Sequence, residues 1–473
     1  MKRYLIIPIT ILPFLISSII GSTIGCTAKA DKQATTSDKT AQLYKTYCIS
    51  CHNDKKSSFI NRQWLFGNSK EEIFKSIKHG RNAFGMPPFG NGLSDEQINE
   101  LSDYVITLAN QHKDEVADRS DKGEVHESEE QKFRLELVLD GLDVPWGLEF
   151  MPDGSLLISE RNGQLLHYRQ GHQAIIIDNT PEVIARGQGG LLDLELHPQY
   201  EDNGWIYLAY SAPDAKDKSK GNTAIMRAQL IDNQLTNKEV IFQALPLTDK
   251  RHHYGCKLEF DKEGYLYFSV GDRGERDRYP QALDNDCGKV HRIHDDGRIP
   301  SDNPFVATKD AQPSIYSYGH RNPQGLCMHP VTGRIWTDEH GPKGGDEINI
   351  IEAGKNYGWP LISFGINYNG TIFTNDTARA GMEQPLHYWV PSIAPCGMTF
   401  VKGDRYPNWK NNILTGSLRF EYLHRVVLEG DKVVHEEKLL EGIGRVRNVE
   451  MSPDGYIYIA VEKPGKIYRL VPL

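Results

Sequence analysis

His252-His253-Tyr254-Gly255-Cys256-Lys257-Leu258-Glu259-Phe260-Asp261-Lys262-Glu263-Gly264-Tyr265-Leu266-Tyr267-Phe268-Ser269-Val270-Gly271-Asp272 reads as one β-hairpin with chemistry at its open end. Leu258 and Phe260 alternate with Glu259, and Leu266, Phe268 and Val270 form one face of a second strand. Asp261-Lys262-Glu263-Gly264 between them has the composition of a tight turn. An antiparallel pair closed there aligns Leu258 with Tyr267 and, carried to the open end, His253 with Asp272. A carboxylate beside an imidazole fixes the ring's tautomer and raises its basicity, which is how a general base is built. A surface histidine near a turn carboxylate would use the same residues, and a single bulge would shift the alignment.

The same unit recurs. Leu148 to Ile158, Leu194 to Pro198, Met328 to Trp336 and Val449 to Ile459 each combine an alternating strand with a turn rich in Pro, Asp or Gly, and all but the second run on into another alternating strand. A further unit is placed at Met398 to Leu414. Spaced hairpins with almost no helical periodicity from about 133 to 473 indicate an all-β propeller, in which each blade buries its faces on its neighbours. The count is six blades, with seven as the alternative. Propeller function resides in the loops at one end of the central channel, and polar residues cluster there. Gly187-Gln188-Gly189-Gly190 and Gly319-His320-Arg321-Asn322 open two blades, and Glu339-His340-Gly341-Pro342 closes the hairpin of the second. Arg445 and Arg447 share one face by period-two geometry, and two adjacent guanidiniums call for an anion with more than one carboxylate or phosphate.

Upstream of the hairpins the chain changes character twice. Met1-Lys2-Arg3 followed by an apolar run to Ile20 is a charged n-region and an h-region, so the chain is expected to be exported. Gly25-Cys26 resembles a bacterial lipoprotein cleavage site, giving a signal segment 1–25 and membrane attachment through a lipidated Cys26. Cleavage after Ala28-Lys29-Ala30 and an uncleaved anchor are the other two readings. Cys48-Ile49-Ser50-Cys51-His52 is a C-x-x-C-H run for covalent haem attachment, with His52 as axial ligand. Met86, between Gly85 and Pro87-Pro88, is the candidate sixth ligand, and a His/Met pair makes an electron-transferring iron. Ser94 with Gln97 caps a helix carrying Ile98, Leu101, Val105 and Leu108. Residues 38–112 thus resemble a small all-α class I cytochrome c. The acidic stretch 113–132 reads as a flexible linker to the propeller at 133–473.

A net charge of −9 argues against nucleic acid as a partner. Seven cysteines are too few for a disulfide scaffold; Cys256, Cys287, Cys327 and Cys396 allow three pairings between which the sequence does not choose.

From about 137 onward the chain resembles the quinoprotein sugar dehydrogenases, which use pyrroloquinoline quinone (PQQ) and calcium on a six-bladed propeller. The resemblance rests on the order and spacing of Pro145-Trp146-Gly147-Leu148, Gly187 to Leu192, His253-Tyr254-Gly255, Gly271-Asp272, Gly288-Lys289-Val290, Asp302 to Phe305, Gly319 to Gly325, Glu339 to Asn349 and Asn356 to Pro360. It implies that His253 takes the proton of a sugar's C1 hydroxyl as hydride passes to C5 of the quinone, with Asp272 orienting it. It also implies that Gln188, Arg321, Asn322, Arg445 and Arg447 contact the quinone, with Arg321 polarising its C5 carbonyl, and that the carbonyls of Gly341 and Pro342 hold calcium. Arg419 stands after Ser417-Leu418 where the family often has lysine, His252 where the soluble glucose enzyme has an acid, and Cys256-Lys257 where Gly-Arg is common. Tyr388 and Trp389 are candidates for reading the sugar. The expected function is an exported enzyme that oxidises an aldose to its lactone and passes electrons to its own haem c and on to a respiratory acceptor. A cofactor-less binding propeller is the alternative, and it predicts loss of the base or the arginines, all of which are present.

Overall fold

Gly154, Gly264 and Gly455 stand at φ of 79°, 84° and 84° in the turns that close three of the repeated hairpins, a conformation that side chains with a Cβ resist. The computed structural model describes residues 36–48, 67–81, 86, 88–90, 92–111 and 123–473. Its strands form six antiparallel sheets, one per blade, confirming the six-bladed count. The innermost strands are Pro145–Phe150, Leu191–Leu196, Leu258–Phe260, Pro323–Met328, Pro395–Phe400 and Val446–Met451. Blade faces are sealed by apolar clusters such as Trp336, Phe400, Ile413 and Tyr422, all buried. The ring is closed by Lys132–Leu139, which pairs with the C-terminal strand Lys466–Pro472 so that Phe133 faces Pro472 and Leu135 faces Leu470.

The hairpin register differs from the expectation. Leu258 pairs with Phe268, Glu259 with Tyr267 and Phe260 with Leu266, one residue away from the predicted alignment. Further up, the Cys256 N–H donates to Ser269 O at 2.8 Å while the Ser269 N–H donates to Lys257 O at 3.2 Å. Two residues therefore face one, and Cys256 takes a φ of 73°. This bulge absorbs the offset, so His253 reaches Asp272 after all. The other five inner strands carry the same one-residue irregularity near their starts, between Pro145 and Gly147, Leu191 and Leu194, Pro323 and Gly325, Cys396 and Met398, and Val446 and Asn448.

The penultimate residues of the six inner strands are Glu149, Glu195, Glu259, Cys327, Thr399 and Glu450. The four glutamates act on one another electrostatically, and burial followed by that repulsion pushes Glu149 up to about 8. Glu259 is pushed up to about 7, chiefly by burial.

Within the N-terminal module, Thr36–Tyr47, Lys70–His79 and Asp95–Gln111 are helices. The Ser94/Gln97 cap forms in both directions, at 2.9 and 3.3 Å. Ile98, Leu101, Val105 and Leu108 are buried against Tyr44, Ile73 and Ile77. Of the stretch 113–132 expected as a linker, residues up to 122 lie outside the described residues, and the rest is bound to the propeller: Val125–Glu127 pairs with the closing strand, and Glu129 and Glu130 bind Arg425, which is 1% exposed, with the Glu130 contact at 3.1 Å. A buried guanidinium needs carboxylates, and this stretch supplies two of the three it has. Cys256, Cys287, Cys327 and Cys396 are all free, so none of the three pairings forms. Among the described residues no helix is long and apolar enough to cross a membrane. Residues 1–25, Cys26, Cys51 and His52 lie outside the described residues.

Candidate active site

The bulges set the site. By kinking each inner strand at its start they turn the preceding residues toward the channel axis. Gln188 lies three residues before the strand at Leu191, His253 five before that at Leu258, Arg321 and Asn322 immediately before Pro323, and Arg445 immediately before Val446. Arg447 is the extra residue of its own bulge. Asp272 and the Gly341-Pro342 pair follow second strands that run back to the same end.

His253 Nδ1 lies 2.6 Å from Asp272 Oδ1. Asp272 is 1% exposed and accepts two more hydrogen bonds, from Gly274 N at 2.7 Å and from Trp359 Nε1 at 2.8 Å. Burial works to raise the Asp272 carboxyl, but His253, through its charge and its hydrogen bond, and the Arg321 guanidinium outweigh it and hold the group at about 2. For His253, burial and the Arg321 charge lower the imidazole below its ordinary value, partly opposed by Asp272. The ring is therefore neutral at pH 7, with Nδ1 directed at the carboxylate and Nε2 left for another partner. The His253 N–H is held by Gln188 Oε1 at 2.7 Å. His252 stands edge-on to it at 4.6 Å and is pushed down to about 3 by burial first and then by the His253 charge.

Beneath this loop sits Arg273, fully buried. It donates to His252 O at 2.5 Å and to Lys250 O at 2.7 Å, and its guanidinium lies 3.4 Å from the Tyr254 ring centroid. No carboxylate pairs with it among the described residues, so it acts as a fixed charge that clamps backbone. Lys257 and Asp193 form a buried ion pair at 2.9 Å across two blades.

The remaining predicted residues join through one hydrogen-bond network. Arg321 Nη1 donates to His340 O at 2.9 Å, and Asn322 Oδ1 accepts from Gly255 N at 3.1 Å. Arg447 reaches Gln324 Oε1 at 3.1 Å, and Gln324 in turn holds Gly255 O at 3.0 Å. Arg445 and Arg447 do share a face, converging on one oxygen of Glu462 at 2.6 and 3.2 Å. Burial opposes ionisation of Glu462, but Arg445 and then Arg447 hold it well below the usual carboxylate range. One carboxylate for two guanidiniums leaves a positive excess. Asn322 Nδ2 and Arg447 Nε are in addition buried without a partner.

On the far side, Pro342 O accepts from Ser392 Oγ at 3.0 Å, and the Gly341 N–H is locked to Asp346 Oδ1 at 2.7 Å. Arg419 is exposed and donates to Ser392 O at 3.2 Å. Tyr388 is exposed beside this loop, but Trp389 is buried with its Nε1 on Glu436 at 2.6 Å, which removes it as a sugar contact.

The architecture now meets its relatives. Residues 142–469 match the glucose/sorbosone dehydrogenase family. The chain belongs to that family. Its N-terminal residues 36–105 match a second family, cbb3-type cytochrome c oxidase subunit III. The aldose sugar dehydrogenase of Escherichia coli K12 is 40% identical over 346 residues, covering 72% of this chain and 92% of that protein. The apo crystal structure of the soluble E. coli aldose sugar dehydrogenase superposes with a TM-score of 0.70 at 38% identity, covering 72% and 100%. The PQQ-bound aldose sugar dehydrogenase of Streptomyces coelicolor gives 0.60 at 26%, covering 72% and 99%. The chain is a sugar dehydrogenase of that family carrying a cytochrome c module.

In that cytochrome module of the dehydrogenase, Cys48 and Met86 pack into the same apolar cluster, and Met86 pairs through its backbone with Arg81 at 2.7 and 3.2 Å. Three residues of the dehydrogenase site had no role assigned from sequence. Trp359 belongs to a quoted motif whose function the pattern does not state. Arg273 follows Gly271-Asp272, and nothing marks it as buried. Glu462 was foreseeable only in kind, since two arginines on one face call for a carboxylate.

Proposed function

We propose that this enzyme oxidises an aldose at C1 to the lactone, with His253 as general base. The observation that carries it is the Asp272–His253 pair, in which a carboxylate held by three donors fixes Nδ1 and leaves Nε2 of a neutral imidazole to accept the hydroxyl proton. Asp272 then stabilises the imidazolium that forms, and Gln188 keeps the loop in place. PQQ is assigned to Gln188, Arg321, Asn322, Arg419, Arg445 and Arg447. The unpaired Asn322 and Arg447 donors and the arginine excess over Glu462 suit an acceptor-rich polyanion. Calcium is assigned to the carbonyls of Gly341 and Pro342, oxygen donors of the kind a hard cation takes. When bound, the quinone supplies a two-electron acceptor and calcium a Lewis acid.

Cys48 and Cys51 would carry haem c and His52 and Met86 would ligate its iron, and when bound the group would supply a one-electron carrier toward a respiratory acceptor. Support comes from the fusion itself, since a tethered haem reoxidises its partner without a collision step. Export, with lipidation of Cys26, fits the N-terminal residues; labelled palmitate should enter the parent and not Cys26→Ala. The central test mixes apo-protein with PQQ and calcium and follows haem absorbance across a panel of aldoses. Haem reduction by at least one aldose is expected, falling at least 10²-fold in His253→Ala. Silence with every sugar would end the relay reading.

A further inference from the structure

Large apolar side chains are exposed at sixteen described positions, and five of them, Leu361, Tyr368, Ile372, Tyr388 and Val390, fall within residues 361–390. That segment is built onto the active site. Trp359, just before it, donates to Asp272 at 2.8 Å, and Phe373 packs edge-on against Trp359 at 5.4 Å. Arg276 lies 4.6 Å over Phe373 and bonds Asn367 at 2.6 Å, which holds the turn carrying Tyr368 and Ile372. At the other end Phe364 stacks on Tyr388 at 3.8 Å, beside the Gly344-Gly345 loop that continues from Pro342. Tyr368 and Ile372 are 69% and 63% exposed. Exposed apolar patches on a protein surface mark contact sites.

The chain carries its own occupant. On the cytochrome module Tyr47 is 38% exposed, directly precedes Cys48, and meets Phe89 edge-on at 6.2 Å; Phe89, Cys48 and Met86 share one cluster. Among the described residues, the side of that module carrying Cys48 is thus apolar, with Tyr47 partly exposed. Between Gln111 and Gly123 the chain has residues 112–122, which span roughly 40 Å when extended. Beyond them the tether is fastened to the propeller by Val125–Glu127 and the Arg425 contacts. A short tether of fixed origin keeps the module at millimolar effective concentration over the propeller surface, where a small apolar contact suffices for electron-transfer encounters.

We propose that the apolar rim formed by Tyr368, Ile372, Tyr388 and Val390 is the docking surface for this chain's own cytochrome module, presenting its haem to the mouth of the active site. The inference rests on the haem relay stated above. Each aldose oxidised releases two electrons and two protons, and each ferric haem takes one electron. Two docking events per sugar follow, with an external one-electron oxidant emptying the haem between them and the protons leaving to solvent.

The test uses the full-length holoenzyme with Tyr368→Lys and Ile372→Lys, both on an exposed turn. Sugar-driven haem reduction is expected to slow at least tenfold, with a soluble dye still reduced at the parental rate and the KM for sugar unchanged. A photo-cross-linker at position 368, used without sugar, is expected to capture the peptide around Tyr47 or Phe89 of the same chain. Haem reduction at the parental rate in both variants would overturn the proposal. So would a raised KM with slowed dye reduction, which makes the rim a sugar subsite, or cross-links solely to a second chain, which makes it a subunit interface. Failure of the relay itself looks different, because then the parent does not reduce its haem either.

Discussion

Asp272→Asn is the sharpest probe of the site, since it changes charge while keeping shape. The carboxylate is 1% exposed and accepts from His253, Gly274 and Trp359. An amide in its place satisfies either Trp359 or the His253 and Gly274 pair with its oxygen, and in both orientations its NH₂ faces a buried N–H. One unpaired donor of this kind costs about 1–3 kcal/mol. The carboxyl's displacement from 3.8 to about 2 measures its preference for the charged form, roughly 2 kcal/mol. That stability is present above pH ~4 and is lost as pH falls through about 2, because the folded state holds the proton less tightly than the unfolded one. In the reaction the same charge faces a full imidazolium, so its loss alone should slow turnover ~10²-fold. If the amide turns its NH₂ to Nδ1, the imidazole proton moves to Nε2 and the deficit grows toward ~10⁴. Stopped-flow reduction in the reconstituted enzyme between pH 5 and 9 measures this. Asp272 raises the His253 pKa, so the acid limb of the variant should also move to lower pH. Turnover within threefold of the parent across that range, with the acid limb in place, would refute the general-base assignment.

Arg273 separates charge from geometry. Arg273→Met removes a positive charge that depresses His253, so the acid limb of kcat/KM should rise in pH; Arg273→Lys should leave the limb in place while kcat falls roughly tenfold through the loosened 250–252 backbone. Glu149 is protonated when folded up to about pH 8 and ionised when unfolded above about 4.5, so it costs stability progressively as pH rises through that window. Glu149→Gln should raise Tm by ~2–4 °C at pH 9 and leave it unchanged at pH 4, as read by differential scanning calorimetry. Equal shifts at both pH values would remove the electrostatic account. Glu462→Gln leaves Arg445 and Arg447 without their shared carboxylate and should lower Tm by several degrees, since breaking a buried pair costs about 3–5 kcal/mol.

Much of this molecule was legible in its sequence, for physical reasons. Strand alternation and Gly turns are local, so the repeated hairpins could be read directly, as could the Ser94/Gln97 cap, and their number was narrowed to six or seven, of which six is right. The pairing of His253 with Asp272 came out right from an alignment that was one residue off along the strands. The bulge that rescued it has Cys256, not glycine, at φ 73°, so no residue announces it. Contacts between blades were the least legible. Even within one blade, the sequence placed Arg445 beside Arg447 but could not show that Glu462, just after the neighbouring strand, answers both. Trp389 looked like a sugar contact because aromatic residues near a mouth often are, yet it turns inward to Glu436. The acidic run read as a linker proved half structural because its partner, Arg425, lies 295 residues away.

That last contact bears on how the two modules can be taken apart. The strand that completes the propeller is also the one from which the cytochrome hangs, and the clasp on Arg425 sits between them. A cut at 132, where composition suggests a boundary, strips two carboxylates from a buried guanidinium and frays the seam where the ring's first and last strands meet. A cut between 112 and 122 leaves both intact. The practical boundary for a cut therefore lies about ten residues upstream of the one that composition suggests. A catalytic half meant for an electrode or a foreign redox partner should begin with residue 123, not 133.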